Sequence, residues 1–228
     1  MAETVLANGV RVLSERVGGV RSVAAGVWVR QGAAHDSADV SGASHLLEHM
    51  VFKGTRHRSP REIALSVEVL GGSLDAYTTR EHTGFQARVL DEHLPLALDV
   101  LADITVHPLL RDEDLELERE VVLEEIAEVE DTPDDLVFEL HGERLWPGSP
   151  YGRSILGSPE TVGGMRGDVL RDLHARAYRG GNLIVAAAGN VEHADLVAAA
   201  ERLFGTLDGG LCAPSAPIPG APALAQEA

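Results

Sequence analysis

Apolar and polar residues alternate through Thr4-Val5-Leu6 and Val10-Arg11-Val12-Leu13, and Asn8-Gly9 stands between the two runs. An Asn-Gly pair in that setting is a strong short-range hairpin signal, so a two-residue turn is predicted there. Residues 20–30 are rich in Val and include Trp28, which reads as a central strand. The period then changes. Ala43, Leu46, Leu47, Met50 and Val51 follow spacings of three and four, a helical stripe with Ser41 placed to cap it and Gly54 to end it. Ser59-Pro60 opens a second helix to about residue 70, stopped by Gly71-Gly72. Residues 74–79 and 83–90 read as an antiparallel pair. Helices are predicted at about 94–106, 112–129, 133–145 and 167–178, then a strand at 183–188 and a helix at 193–204. Strands gathered early and consecutive helices afterwards predict an α+β domain with a mainly antiparallel sheet.

Composition narrows this picture in three ways. An apolar content of 44% supports a packed core, and no run approaches the ~18 apolar residues of a membrane span. A formal net charge of −17 argues against nucleic acid as a partner, because phosphate backbones are drawn to Lys/Arg surfaces. The lone cysteine, Cys212, leaves no internal disulfide framework, and the N-terminus has no basic, apolar leader pattern, so the cytoplasm is the expected compartment. One folded unit is expected over residues 1–210. Pro214, Pro217, Pro219 and Pro222 mark 211–228 as a Pro/Ala-rich linker or disordered tail.

The chemistry concentrates in His45-Leu46-Leu47-Glu48-His49. On a helix, positions i, i+3 and i+4 share a face, so both imidazoles reach one cation with Glu48 beside it. Two imidazoles suit Zn²⁺, and a neighbouring carboxylate suits a general base. The order His-x-x-Glu-His inverts the commoner His-Glu-x-x-His zinc signature. A third protein ligand is then required. Leu115, Glu118, Val122, Glu125 and Val129 fall on one face of the helix predicted from residue 112, so two carboxylates interrupt an otherwise apolar stripe. Burying them unpaired is unfavourable, and a cation, whether a metal or an Arg or Lys, removes that penalty. Periodicity leaves Glu118 and Glu125 as alternatives.

His45 to His49, within Gly42-Ala43-Ser44 and Met50-Val51-Phe52-Lys53-Gly54-Thr55, resembles the insulinase/pitrilysin zinc metallopeptidases, and most closely the bacterial members similar to mitochondrial processing peptidase. Further resemblance lies in residues 6–12, 74–83, 151–161 and 182–190, in family order. The resemblance implies a sheet with helices packed on one face. It implies a zinc-dependent endopeptidase in which the third ligand lies about 76 positions after the second His, here Glu125, with a supporting Glu seven residues earlier, here Glu118. It also implies that Leu74, Asp75, Ala76 and Tyr77 form the strand along which peptide substrate pairs. Asp75 stands where the family usually has Asn. Family members carry a second homologous half that in many supplies an Arg and a Tyr to the substrate. The implied partner is therefore a homologous C-terminal half, a separate subunit, or a second copy in a homodimer. The alternative implied role is a non-catalytic or partner-dependent subunit of a two-part peptidase.

Overall fold

A computed structural model describes residues 1–210, and the expected linker at 211–228 lies outside the described residues. Six strands form one sheet: β1 (Ala2–Val5), β2 (Arg11–Arg16), β3 (Ser22–Val29), β4 (Ser73–Thr78), β5 (Thr83–Leu90) and β6 (Leu183–Gly189), in the order β1-β2-β6-β3-β5-β4. Every pairing is antiparallel except β2 with β6. The helices are α1 (Ala43–Met50), α2 (Pro60–Glu68), α3 (Leu94–Val106), α4 (Asp112–Asp131), α5 (Pro133–Leu145), α6 (Pro159–Gly163), α7 (Gly167–Ala177) and α8 (His193–Phe204).

The strand alternation decides which side the helices cover. Val23, Ala25, Val27 and Val29 on β3, Phe85, Ala87 and Val89 on β5, and Leu183, Val185 and Ala187 on β6 are buried. They face α1, α2, α3 and α8, which pack against the sheet, while α4 lies behind α1. At the alternate positions Ala24, Arg88 and Ala188 are exposed, while Trp28, Gln86 and Ile184 are half-buried. The layer is thus α+β with helices on one face, as expected. α3, α5, α8 and β5 begin and end where the pattern placed them.

Two local expectations are corrected. Val5 pairs with Arg11, the Leu6 amide donates to the Val10 carbonyl at 2.9 Å, and the Gly9 amide donates to the Leu6 carbonyl at 2.9 Å. The connection is a three-residue loop closed by Gly9 at φ 93°, rather than a two-residue turn. Ser41 does not cap α1. Gly42, at φ 92°, holds that place and offers no side chain. The cap comes from Asp36, whose Oδ2 accepts from the Ser44 amide at 3.0 Å and whose Oδ1 accepts from Ser44 Oγ at 2.6 Å. A helix with a weak local N-terminus is completed by a side chain from the preceding loop.

Candidate metal centre

α1 buries Leu46, Leu47 and Met50 against the sheet and presents His45, Glu48 and His49 towards α4 and β4. On α4, Leu115, Glu118, Val122 and Ile126 are buried, so the helix sets Glu118 and Glu125 over α1. The rings of His45 and His49 lie 4.6 Å apart at 64°. His45 Nε2 stands 3.7 Å from Glu125 Oε2, and His49 Nε2 stands 3.6 Å from Glu125 Oε1. One ligand atom from each of the three residues falls within 4.8 Å of the others.

Glu118 and Glu125 separate cleanly here. Glu118 is buried at 5% exposure, lies 2.6 Å from Lys53 Nζ and accepts from His49 Nδ1 at 3.2 Å. Its charge is met by a lysine, and its second oxygen orients an imidazole. Because a carboxylate only accepts, the proton of neutral His49 sits on Nδ1 and the Nε2 lone pair faces Glu125. Glu125 has no Lys or Arg partner among the described residues; its neighbours are the two imidazoles.

The electrostatics favour a neutral His45 and a basic Glu48. Burial, and then the proximity of His49, pull the His45 pKa down to about 4, so His45 is uncharged at neutral pH and its ring nitrogens are not both protonated. His45 Nδ1 is buried without a hydrogen-bond partner among the described residues. Glu48 is 9% exposed, and burial raises its pKa; a hydrogen bond from Thr78 and the nearby His49 oppose that shift, while Glu125 adds to it. Thr78 Oγ1 donates to Glu48 Oε2 at 2.6 Å. Two imidazoles and a carboxylate, with no cysteine, match a zinc site that keeps a coordination position open.

The four residues of the proposed substrate strand divide by face. β4 is the sheet's edge, paired only with β5. Leu74 and Ala76 pack on the core, Asp75 is exposed on the open side, and Tyr77 accepts at its hydroxyl from Trp28 Nε1 at 2.9 Å. Their side chains are thus committed or turned away from the metal cluster, and the unpaired edge of the strand is what remains for a ligand.

Three residues escaped the sequence reading. Lys53 follows His49 by four and carried a helical signal. Thr78 continues the face of Leu74 and Ala76, a period-two signal. Asp36 had none, since its target lies eight residues away.

The sequence model described as insulinase (peptidase family M16) matches residues 11–159. The chain belongs to the insulinase family of peptidases. A second model, described as the peptidase M16 inactive domain, matches residues 165–226. Insulinase-family relatives include an uncharacterized zinc protease of Mycobacterium leprae, 41% identical over 206 residues, covering 90% of this chain and 46% of the relative. A probable mitochondrial-processing peptidase subunit beta of Arabidopsis thaliana is 37% identical, covering 88% of this chain and 38% of its own length. The crystal structure of a protease from Helicobacter pylori has the same fold, with a TM-score of 0.89 at 22% identity, over 96% of this chain and 53% of that one. The chain therefore spans about half the length, or less, of the proteins it matches. The Mycobacterium leprae relative is a zinc protease by name, and zinc is the metal the cluster fits. Among the described residues no helix is long and apolar enough to cross a membrane.

Proposed function

We propose that this chain is the catalytic half of a zinc-dependent endopeptidase acting on peptides or unfolded segments. The observation that carries the reading is the convergence of His45, His49 and Glu125 beside a buried carboxylate, Glu48, which is not itself one of the three. In this reading His45 and His49, through Nε2, and Glu125 hold zinc, and Glu118 with Lys53 fixes the orientation of His49. Zinc, when bound, supplies a Lewis acid that acidifies water and polarises the scissile carbonyl. Glu48 takes the proton of the attacking water and later delivers it to the departing amine. Its burial helps, since a carboxylate of raised pKa is a better base near neutral pH.

Substrate extends along the edge of β4 at Leu74, Asp75, Ala76 and Tyr77 and pairs through main-chain hydrogen bonds, which read conformation more than sequence. The second half supplies the remaining substrate contacts, as a C-terminal continuation, a partner subunit or a second copy. A cytoplasmic setting agrees with the single cysteine.

A partner subunit without chemistry of its own is the second reading, favoured by the match to the inactive-domain model over 165–226. The complete set of His45, Glu48, His49 and Glu125 outweighs it, because a scaffold needs none of them. Glu48→Gln decides between them. With the second half present, it retains one zinc per chain and loses about 100-fold or more in peptide turnover. Near wild-type turnover by that variant overturns the general-base role.

A further inference from the structure

We propose that Thr78 is a positioning residue for Glu48, linking the substrate-edge strand directly to the general base. The proposal rests on the reading of Glu48 given above. Thr78 is the last residue of β4, and its side chain lies on the helix-facing side with Leu74 and Ala76. Its hydroxyl supplies the one hydrogen bond to the Glu48 carboxylate among the described residues, at 2.6 Å on Oε2. That leaves Oε1 to receive a proton.

The direction of the bond is fixed by its surroundings. Thr83 Oγ1 lies 3.4 Å from Thr78 Oγ1, but it donates its own proton to the Gln31 carbonyl at 2.9 Å. Thr78 therefore donates to the charged acceptor. Gln31 Nε2 in turn donates to Ser44 Oγ at 3.0 Å, and Ser44 Oγ donates to Asp36. A continuous run of polar contacts thus joins the end of β4 to the start of α1. A buried glutamate with three side-chain torsions has many orientations, and one short charge-assisted bond selects among them. Because the donor belongs to the edge strand, a peptide that pairs with β4 and settles its position also settles the base. Thr78 has no need to touch substrate.

The test compares Thr78→Val, which keeps the shape and removes the hydroxyl, with Thr78→Ser, which keeps the hydroxyl. Zinc-loaded protein carrying its second half is assayed on a quenched fluorescent peptide, with kcat and KM separated. Thr78→Val is expected to lower kcat about 10- to 100-fold with KM within about two-fold, and Thr78→Ser to remain within about three-fold of wild type. A second readout needs no turnover: urea midpoints of the metal-free chain in a double-mutant cycle of Thr78→Val with Glu48→Leu. The midpoint shift caused by Thr78→Val is expected to shrink in the Glu48→Leu background. Unchanged kcat, an effect confined to KM, or additive midpoint shifts each overturn the proposal. An inactive Glu48→Gln beside a fully active Thr78→Val overturns this proposal alone, whereas an active Glu48→Gln overturns the base assignment as well.

Discussion

Asp36 is ionised at neutral pH in a place that resists charge. Burial raises its pKa to about 6, against hydrogen bonds from Ser44 and the influence of Arg153, which lower it. A carboxyl with a raised folded-state pKa binds its proton more tightly folded than unfolded. Its contribution to stability is therefore largest below about pH 4, falls as pH rises to about 6, and is constant above that. The size is about 3 kcal/mol for a shift of that order. Asp36→Asn removes the titration while keeping an oxygen for the Ser44 amide. The stability of Asp36→Asn relative to wild type is thus expected to improve from pH 4 to pH 6.5, measured by urea denaturation of metal-free protein. A difference that stays constant across that range refutes the assignment. His45 acts with the opposite sign. Its lowered pKa means that stability is gained as pH rises from about 4 to about 6.5, so the two groups mask one another in the wild type. His45, Glu48 and His49 were legible in the sequence because one helical turn brings them together. Asp36 was not, because a cap from a loop leaves no periodic trace.

At the level of elements, the position of α1 depends on a close backbone contact. Gly42 begins the helix at φ 92°, and a Cβ there would sit 2.5 Å from the Leu156 carbonyl oxygen. Gly157, at φ 86°, meets the Ser41 carbonyl from the other side. The loop before α6 thus clamps the start of the zinc helix, and Arg153 reinforces it by donating to the Asp36 carbonyl. Gly42→Ala is expected to lose at least about 1–2 kcal/mol from the left-handed conformation alone, with more from the clash. Zinc affinity should fall with it, because His45 lies three residues on. Calorimetric unfolding and a zinc competition titration check both. A Tm and zinc affinity equal to wild type would show that the loop yields freely. Other boundaries needed no such partner. Ser59 Oγ accepts from the Glu62 amide at 3.3 Å while Glu62 Oε2 accepts from the Ser59 amide at 2.8 Å, a reciprocal cap written in the sequence Ser-Pro-Arg-Glu. Elements with local signals were placed well. The insertion of β6 between β2 and β3 was not, since it pairs Val12 with Val185 and Val27 with the same residue across more than a hundred positions.

Across the whole molecule, a bound metal would join α1 and α4, which the chain otherwise holds by packing and by the contacts of Glu118 with His49 and Lys53. His45 and His49 lie on α1 and Glu125 on α4, so a cation between them bridges two helices distant in sequence. Without it, Glu125 faces two imidazoles and no Lys or Arg among the described residues, and His45 is held neutral by burial. Binding confined to the folded state stabilises it by about 2.7 kcal/mol at a hundred-fold excess over Kd. For a domain of this size that is a rise in Tm of roughly 5–10 °C. The chain alone is therefore expected to take up one zinc and gain several degrees, yet to cleave peptide weakly or not at all until the second half is added. His45→Ala should abolish the zinc-dependent shift, whereas Glu48→Gln should keep it, because Glu48 lies outside the three-ligand cluster. Thermal denaturation with added zinc and with chelator, on the chain with and without its second half, separates the two roles. A zinc shift that survives His45→Ala would place the metal elsewhere. Full turnover by the chain alone would mean that β4 and the α1–α4 cluster hold and cut substrate without a second wall.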